Sequence, residues 1–182
     1  MVPAVITLLG VLLLSGCLPI PTFPRAAASP SPGTDATGVQ AVTSEGNTHI
    51  RRPNRVSYTH QPPSSGMHYS DSGAPRRYEA YEESLWPEEW IHNLEHGAIV
   101  VVYRCEGTEC DDMYAEAGDL LAALPEESKF GTVKALTTPY QDMKPKVAVL
   151  AWTKEQDFEK LDVAGITEFY RKFVNKGPEL LP

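Results

Sequence analysis

Histidine side chains are the strongest candidates for chemistry in this sequence, and all five lie between positions 49 and 96. His92 and His96 are four residues apart, a spacing that on a helix places both imidazoles on one face, within reach of a single ion. Gly66 permits a backbone turn just before His68, which makes His68 the expected third ligand. The reserve ligands are His49, Met67 and His60.

The ligand types indicate which ions such a site would hold. Three imidazoles suit Zn²⁺ or Cu²⁺, whereas a thioether from Met67 favours Cu(I), because soft ligands select soft ions. Glu95 and Tyr140 are expected to support the ligands from outside the coordination sphere. The sequence therefore predicts a transition-metal site, with copper placed slightly ahead of zinc.

Two other hypotheses fit the same residues. The segment from His92 to His96 matches H-x-x-E-H, the inverted zinc-protease motif, in which a metallohydrolase would use Glu95 to activate water. That motif needs a longer helix, whereas Gly97 and an apolar run end this one at once. Alternatively, the histidines only hydrogen-bond their neighbours, in a non-catalytic structural or interaction module of the cell envelope.

The N-terminal residues predict export and a lipid anchor. Residues 4–14 form an uncharged apolar run, too short to span a bilayer but of the right size for the core of a signal peptide. The following Leu-Ser-Gly-Cys resembles the bacterial lipobox, so we expect cleavage of residues 1–16 and lipid on Cys17. The protein would then lie on the extracytoplasmic side of the cell membrane. A secretory signal cut elsewhere is the alternative.

Two cysteines remain, Cys105 and Cys110. In an exported protein we expect them to form a disulfide, with a C-x4-C metal pair as the alternative. Nucleic acid is excluded as a first choice of partner, because the net charge is −8. No feature of the sequence identifies a protein partner.

The pattern along the chain predicts an α+β single domain, with an antiparallel sheet of about four strands covered on one face by helices. Proline-rich residues 17–48 are expected to form a flexible tether, and residues 49–182 the domain. We predict helices over 87–97 and 110–124, and over 154–176 either one helix bent at Gly165 or two short helices. The predicted strands are 55–60, 98–103, 133–138 and 146–152.

Four short motifs resemble the prokaryotic family catalogued as domain of unknown function 3105: P-P-S-S-G-M-H-Y at 62–69, H-N-L-E-H-G at 92–97, T-P-Y at 138–140 and A-W at 151–152. The resemblance covers roughly residues 48–180, including the closing Gly177-Pro178-Glu179. It implies an exported, often membrane-tethered or lipid-anchored protein, and because the function of the family is unassigned it does not indicate an activity. The positions that it marks are His49, Gly66, His68, His92, Glu95, His96, Gly97, Pro139, Tyr140 and Trp152.

Overall fold

A computed structural model describes Asp35 and residues 37–182, so the predicted signal peptide and Cys17 lie outside the described residues. Within that part the chain forms an α+β domain, as predicted, and has no helix that is long and apolar enough to cross a membrane. The elements are β1 (Gln40–Ala41), β2 (His49–Ile50), β3 (His68–Tyr69), α1 (Pro87–Glu95), β4 (Ile99–Tyr103), α2 (Glu109–Ala123), β5 (Ala135–Pro139), β6 (Val147–Ala151), β7 (Lys154–Phe158) and α3 (Val163–Phe173).

The main sheet in the described residues has five strands rather than about four, in the order β1-β7-β6-β4-β5. It is antiparallel except for the β4–β5 pair, in which Val101 lies opposite Thr137. The fifth strand, β1, comes from residues assigned to the tether, and Gln40 pairs with Glu155 of β7. Ordered structure therefore begins before His49. A second sheet consists of β2 and β3, paired in parallel.

Helices cover both faces of the main sheet, not one face as expected. Val100 and Val102 of β4 pack into a cluster with residues of α1. Ile99, Val101 and Tyr103 face the other way and pack with residues of α2 and α3. Alternate residues of a strand point to opposite faces, so every side chain of β4 has to be apolar, which explains the unbroken apolar run in the sequence.

The strand predicted over residues 55–60 is absent from the structure. Its backbone N–H groups donate to carboxylates instead of to a neighbouring strand: Val56 to Glu88 at 2.7 Å and Thr59 to Glu45 at 3.0 Å. The segment has the alternation of polar and apolar residues that is typical of a strand. Its backbone N–H groups, however, are hydrogen-bonded to acidic side chains from elsewhere in the chain and not to a neighbouring strand.

The helix predicted over residues 154–176 is half wrong. Its first part is the strand β7, and only 163–173 is helical. Thr153, with φ of 57°, turns the chain back from β6 so that β7 can pair beside it. The amphipathic pattern was correct for α3, where Ile166, Phe169 and Tyr170 are buried.

The predicted disulfide is confirmed. Cys105 follows the end of β4 and is bonded to Cys110 in the first turn of α2. The two sulfur atoms are therefore not available as metal ligands.

Candidate metal centre

Helix α1 carries the centre of the candidate site. Trp90, Ile91 and Leu94 on one face of this helix are buried against the main sheet. His92 and Glu95 are three residues apart, so they share another face of the helix. The sheet thus fixes α1 in place while its second face holds an imidazole and a carboxylate side by side.

The small parallel sheet supplies two more histidines. His49 of β2 lies directly opposite His68 of β3, although 18 residues separate them in the chain. Gly66, with φ of +128°, makes the turn before His68, and a Cβ at this position would lie 2.8 Å from the Tyr58 ring. A glycine is therefore required here.

Hydrogen bonds from α1 hold the irregular segment around these strands. The Trp90 indole N–H donates to the Pro63 carbonyl at 3.2 Å. The Asn93 amide accepts from the Arg76 N–H at 2.9 Å and donates to the Arg76 carbonyl at 2.7 Å. The proline-rich segment that bears His68 is thus fixed to the helix that bears His92.

Four side chains meet at one point: His49, His68, His92 and Glu95 each offer one donor atom, and these atoms lie within 4.8 Å of one another. The Glu95 Oε2 atom is 2.9 Å from His68 Nε2 and 3.1 Å from His49 Nε2. Ligand atoms bonded to a tetrahedral Zn²⁺ at 2.0–2.1 Å are about 3.3 Å apart. The two distances from Glu95 are therefore close to those between ligands of one ion, and the remaining donor atoms lie within 4.8 Å.

Backbone carbonyls fix the orientation of two imidazoles. The Nδ1 atom of His68 is 2.8 Å from the Gly66 carbonyl oxygen, and that of His92 is 2.6 Å from the Tyr69 carbonyl oxygen. A carbonyl only accepts, so each Nδ1 carries the hydrogen and donates it, which leaves Nε2 as the free nitrogen. Histidines that bind metals are oriented in this way.

The same bonds have an electrostatic consequence at His68. Its Nε2 faces a carboxylate oxygen while its Nδ1 already donates, so either a hydrogen or a metal ion has to lie between Nε2 and the carboxylate. The His68 side chain is fully buried, and only 1 % of the Glu95 side chain is exposed. The space between these two groups is therefore a place where a metal ion can replace a hydrogen.

Burial favours the metal-binding form of His92, and the neighbouring histidines favour that of Glu95. Burial lowers the pKa of His92 and outweighs the hydrogen bond to the Tyr69 carbonyl, so the neutral imidazole is favoured. Burial alone would raise the pKa of Glu95, but the hydrogen bond from His49 and the charge of His68 hold it below its usual value. Neutral imidazoles and an ionised carboxylate are the ligand forms.

Contrary to the prediction, His96 does not belong to this group of four donors. The helix ends at Glu95 and His96 is its C-cap, with Gly97 following at φ +81°. Its ring lies 4.7 Å from that of His92, but its donor atom groups with Glu95 and Glu179 instead. The sequence hypothesis of one ion shared by the two helix histidines is therefore corrected. The only sequence signal for Glu179 was the closing Gly-Pro-Glu motif.

Two other predicted residues lie away from the four donors. Met67 is 42 % exposed, whereas the adjacent His68 is buried. The Tyr140 hydroxyl donates to the Gln61 side chain, and its ring packs edge-on against Trp90 at 5.0 Å. The structure thus replaces the expected thioether with the carboxylate of Glu95, which moves from a supporting role into the donor group.

In a comparison with protein families, the model of a family described as "Protein of unknown function (DUF3105)" matches residues 49–181. That segment contains every residue of the two donor groups. Neither the curated proteins nor the solved structures give a match.

Proposed function

The chain belongs to the family of proteins of unknown function DUF3105, and we propose that it is a lipid-anchored, extracytoplasmic protein that binds a divalent transition metal ion. The proposed ligands are His49, His68, His92 and Glu95. The proposed ion is Zn²⁺, with Cu²⁺ as the second choice.

One observation carries this proposal: three buried donors, from His68 of β3 and from His92 and Glu95 of α1, lie together with the half-exposed His49 of β2. Backbone carbonyls orient His68 and His92 so that Nε2 is left for the ion. Buried polar groups are normally placed to satisfy one another with hydrogens between them. A cation satisfies all four donors of this group at once.

The ligand types support zinc over copper. Three imidazoles and one carboxylate within tetrahedral spacing suit Zn²⁺, whereas Cu(I) prefers soft sulfur ligands. The preference for copper in the sequence hypothesis depended on Met67, which is exposed. Cu²⁺ remains the second choice because imidazole sites bind it strongly.

The proposed location is supported by the sequence and by the disulfide. The apolar run at 4–14 and the lipobox-like residues ending in Cys17 favour export and lipid attachment. The bond between Cys105 and Cys110 is typical of an oxidising compartment outside the cytoplasm.

Glu95 also separates this proposal from the metallohydrolase hypothesis. A general base must be free to take a proton from the reacting water, whereas the Glu95 carboxylate contacts the Nε2 atoms of His49 and His68. Four protein ligands complete the tetrahedral shell of a structural zinc site. We therefore assign the ion in this site a binding or structural role.

The test measures metal content. The full chain, purified in detergent and stripped with a chelator, is dialysed against Zn²⁺ or Cu²⁺ and its metal is measured by elemental analysis. We expect at least one equivalent of zinc in the unchanged chain and in His60→Ala, a control that removes a histidine outside the donor groups. His49→Ala should lose most of it and should remain folded, because the His49 side chain is 44 % exposed.

Less than about a tenth of an equivalent of both metals in the unchanged chain contradicts the proposal. That result, together with strong destabilisation by each histidine substitution, favours the structural envelope module, in which a proton replaces the ion between His68 and Glu95.

A further inference from the structure

Glu95 belongs to two donor groups, and we propose that its carboxylate bridges two metal ions. The second ion would be bound by Glu95, His96 and Glu179, whose donor atoms lie within 4.8 Å of one another. This inference rests on the proposed function, because Glu95 is also a ligand of the first ion. Carboxylates are common bridging ligands, since each of their two oxygens can bind one ion.

The imidazole of His96 is the independent observation that points to a ligand. The residue is 7 % exposed, and its Nδ1 is buried without a hydrogen-bond partner. Its Nε2 lies 3.5 Å from the Glu179 carboxylate, too far for a good hydrogen bond. A buried imidazole with neither nitrogen well bonded is rare, and an ion bound to either nitrogen would give this ring a partner that the protein does not supply.

The backbone brings Glu179 to this position. Its N–H donates to the Glu95 carbonyl at 3.0 Å, and the Asn175 N–H donates to the Gly97 carbonyl at 2.8 Å. Gly177 fits so closely that a Cβ would lie 2.2 Å from the Glu95 carbonyl oxygen. The C-terminal segment is therefore fitted against the end of α1, and Glu179 is held beside His96.

Lys134 forms the wall behind this second group. Its ammonium donates to the carbonyls of His96 at 2.8 Å and Leu181 at 2.6 Å, and to the Asn175 side chain at 2.9 Å. Because these three acceptors take up its hydrogens, the ammonium holds the backbone of His96 rather than its imidazole. It ties α1, β5 and the C-terminal segment together.

The two ions are expected to differ in affinity. The first has four protein ligands, three of them buried, whereas the second has three, and the Glu179 side chain is 45 % exposed. A site with three protein ligands keeps an open position for water or another small ligand. The second ion should therefore bind more weakly and exchange faster.

The experiment is equilibrium dialysis of the full chain in detergent against increasing free Zn²⁺, with bound metal measured at each step. We expect two equivalents that fill in two separate steps. Glu179→Gln should weaken the second step at least tenfold and leave the first unchanged, and His96→Gln should do the same. Glu168→Gln, which changes an exposed glutamate of α3, is the matched control and should keep both steps.

The outcomes separate this inference from the proposed function. One equivalent in the unchanged chain overturns the bridge and leaves the first site standing, whereas no bound zinc overturns both. Two equivalents that persist in both Glu179→Gln and His96→Gln also overturn the second site, because the additional ion must then lie elsewhere.

Discussion

The chain places a histidine against a buried glutamate in two regions, with different consequences. At the metal centre, Glu95 contacts His68 and His49, and His92 completes the group. Near the edge of the main sheet, where β7 pairs with the short edge strand β1, Glu155 contacts only one histidine, His60. Among the described residues, neither of the two donor groups includes His60.

The two glutamates respond to burial in opposite ways. At the sheet edge, burial raises the pKa of Glu155 to about 7, against the partial compensation from His60. At the metal centre burial acts in the same direction, but the two histidines outweigh it and the pKa of Glu95 is lowered. A histidine beside a glutamate is therefore not sufficient for a metal site. Several oriented imidazoles are needed to keep the carboxylate charged.

The two histidine–glutamate regions also differ in their exposure to water. Glu155 and His60 line an open groove of about 720 Å³, whereas His68 and Glu95 are enclosed. The single imidazole at the edge meets water as well as its glutamate. The following predictions test whether the number of oriented donors distinguishes the two regions.

Removal of a buried imidazole should have the largest effect. His68→Ala should lower zinc affinity by roughly 100-fold, since about 12 kcal/mol of binding is shared by four ligands. It should also lower the free energy of unfolding by about 1–3 kcal/mol, because the Gly66 carbonyl and Glu95 lose a partner. His60→Ala should leave zinc affinity unchanged. Calorimetric titration measures the zinc affinity, and urea unfolding measures the free energy of unfolding. Equal losses of zinc affinity in His68→Ala and His60→Ala would show that the two regions do not differ in metal binding.

Neutralisation of the carboxylates should come next. Glu95→Gln keeps the shape of the side chain but removes the charge, so zinc affinity should fall by about 10- to 100-fold. Glu155→Gln should not change it. Competition with a chromogenic chelator measures these affinities, and a Glu95→Gln variant that binds zinc normally would show that the carboxylate is not a ligand.

Metal removal should have a moderate effect on stability. Zinc at 100 times its dissociation constant stabilises the folded chain by about 2.7 kcal/mol, which corresponds to a melting temperature about 5–10 °C higher. A chelator should remove this increase in the unchanged chain and in His60→Ala. In His49→Ala, zinc and chelator should give nearly the same melting curve by circular dichroism.

The smallest effect should come from pH at the sheet edge. The pKa of Glu155 is raised from 4.5 when unfolded to about 7 when folded. Its contribution to stability is therefore full below pH 4.5 and is lost as the pH rises towards 7. Urea unfolding of the zinc-free chain should show this decline, and Glu155→Gln should flatten it. If the unchanged chain and Glu155→Gln have identical pH profiles, a group other than Glu155 causes the decline in stability.

The local sequence pattern predicts those site residues whose position depends on a single helix or turn. The helix over 87–97 and its histidine spacing led to His92, and the glycine turn led to His68. His49 was only a reserve ligand, because its pairing with His68 joins two strands of two residues each across a long irregular segment. Such a pairing has no periodicity of its own, so sequence patterns cannot detect it.

Long-range contacts explain the other errors. His96 lies beside His92, as the i, i+4 spacing predicts, with ring centroids 4.7 Å apart. Its donor atom nevertheless groups with Glu95 and Glu179 rather than with His92, and the contact with Glu179 is not visible in the local sequence. Glu179 reaches the site only because distant backbone groups pair with it. The segment around Val56 alternates like a strand, but its hydrogen bonds go to distant glutamates.

The attachment of β1 to β7 has a mechanical consequence. A pull on the chain from its N-terminal side meets the contacts of Asp35 with Lys172 of α3 and of Thr37 with Gln156 of β7, and then the β1–β7 pair. Val42 follows, with its N–H donating to the Thr153 carbonyl at 3.0 Å. The load therefore passes into α3 and the five-stranded sheet before it reaches His49. With the tether that we propose at that end, these contacts keep tension away from the proposed metal ligands.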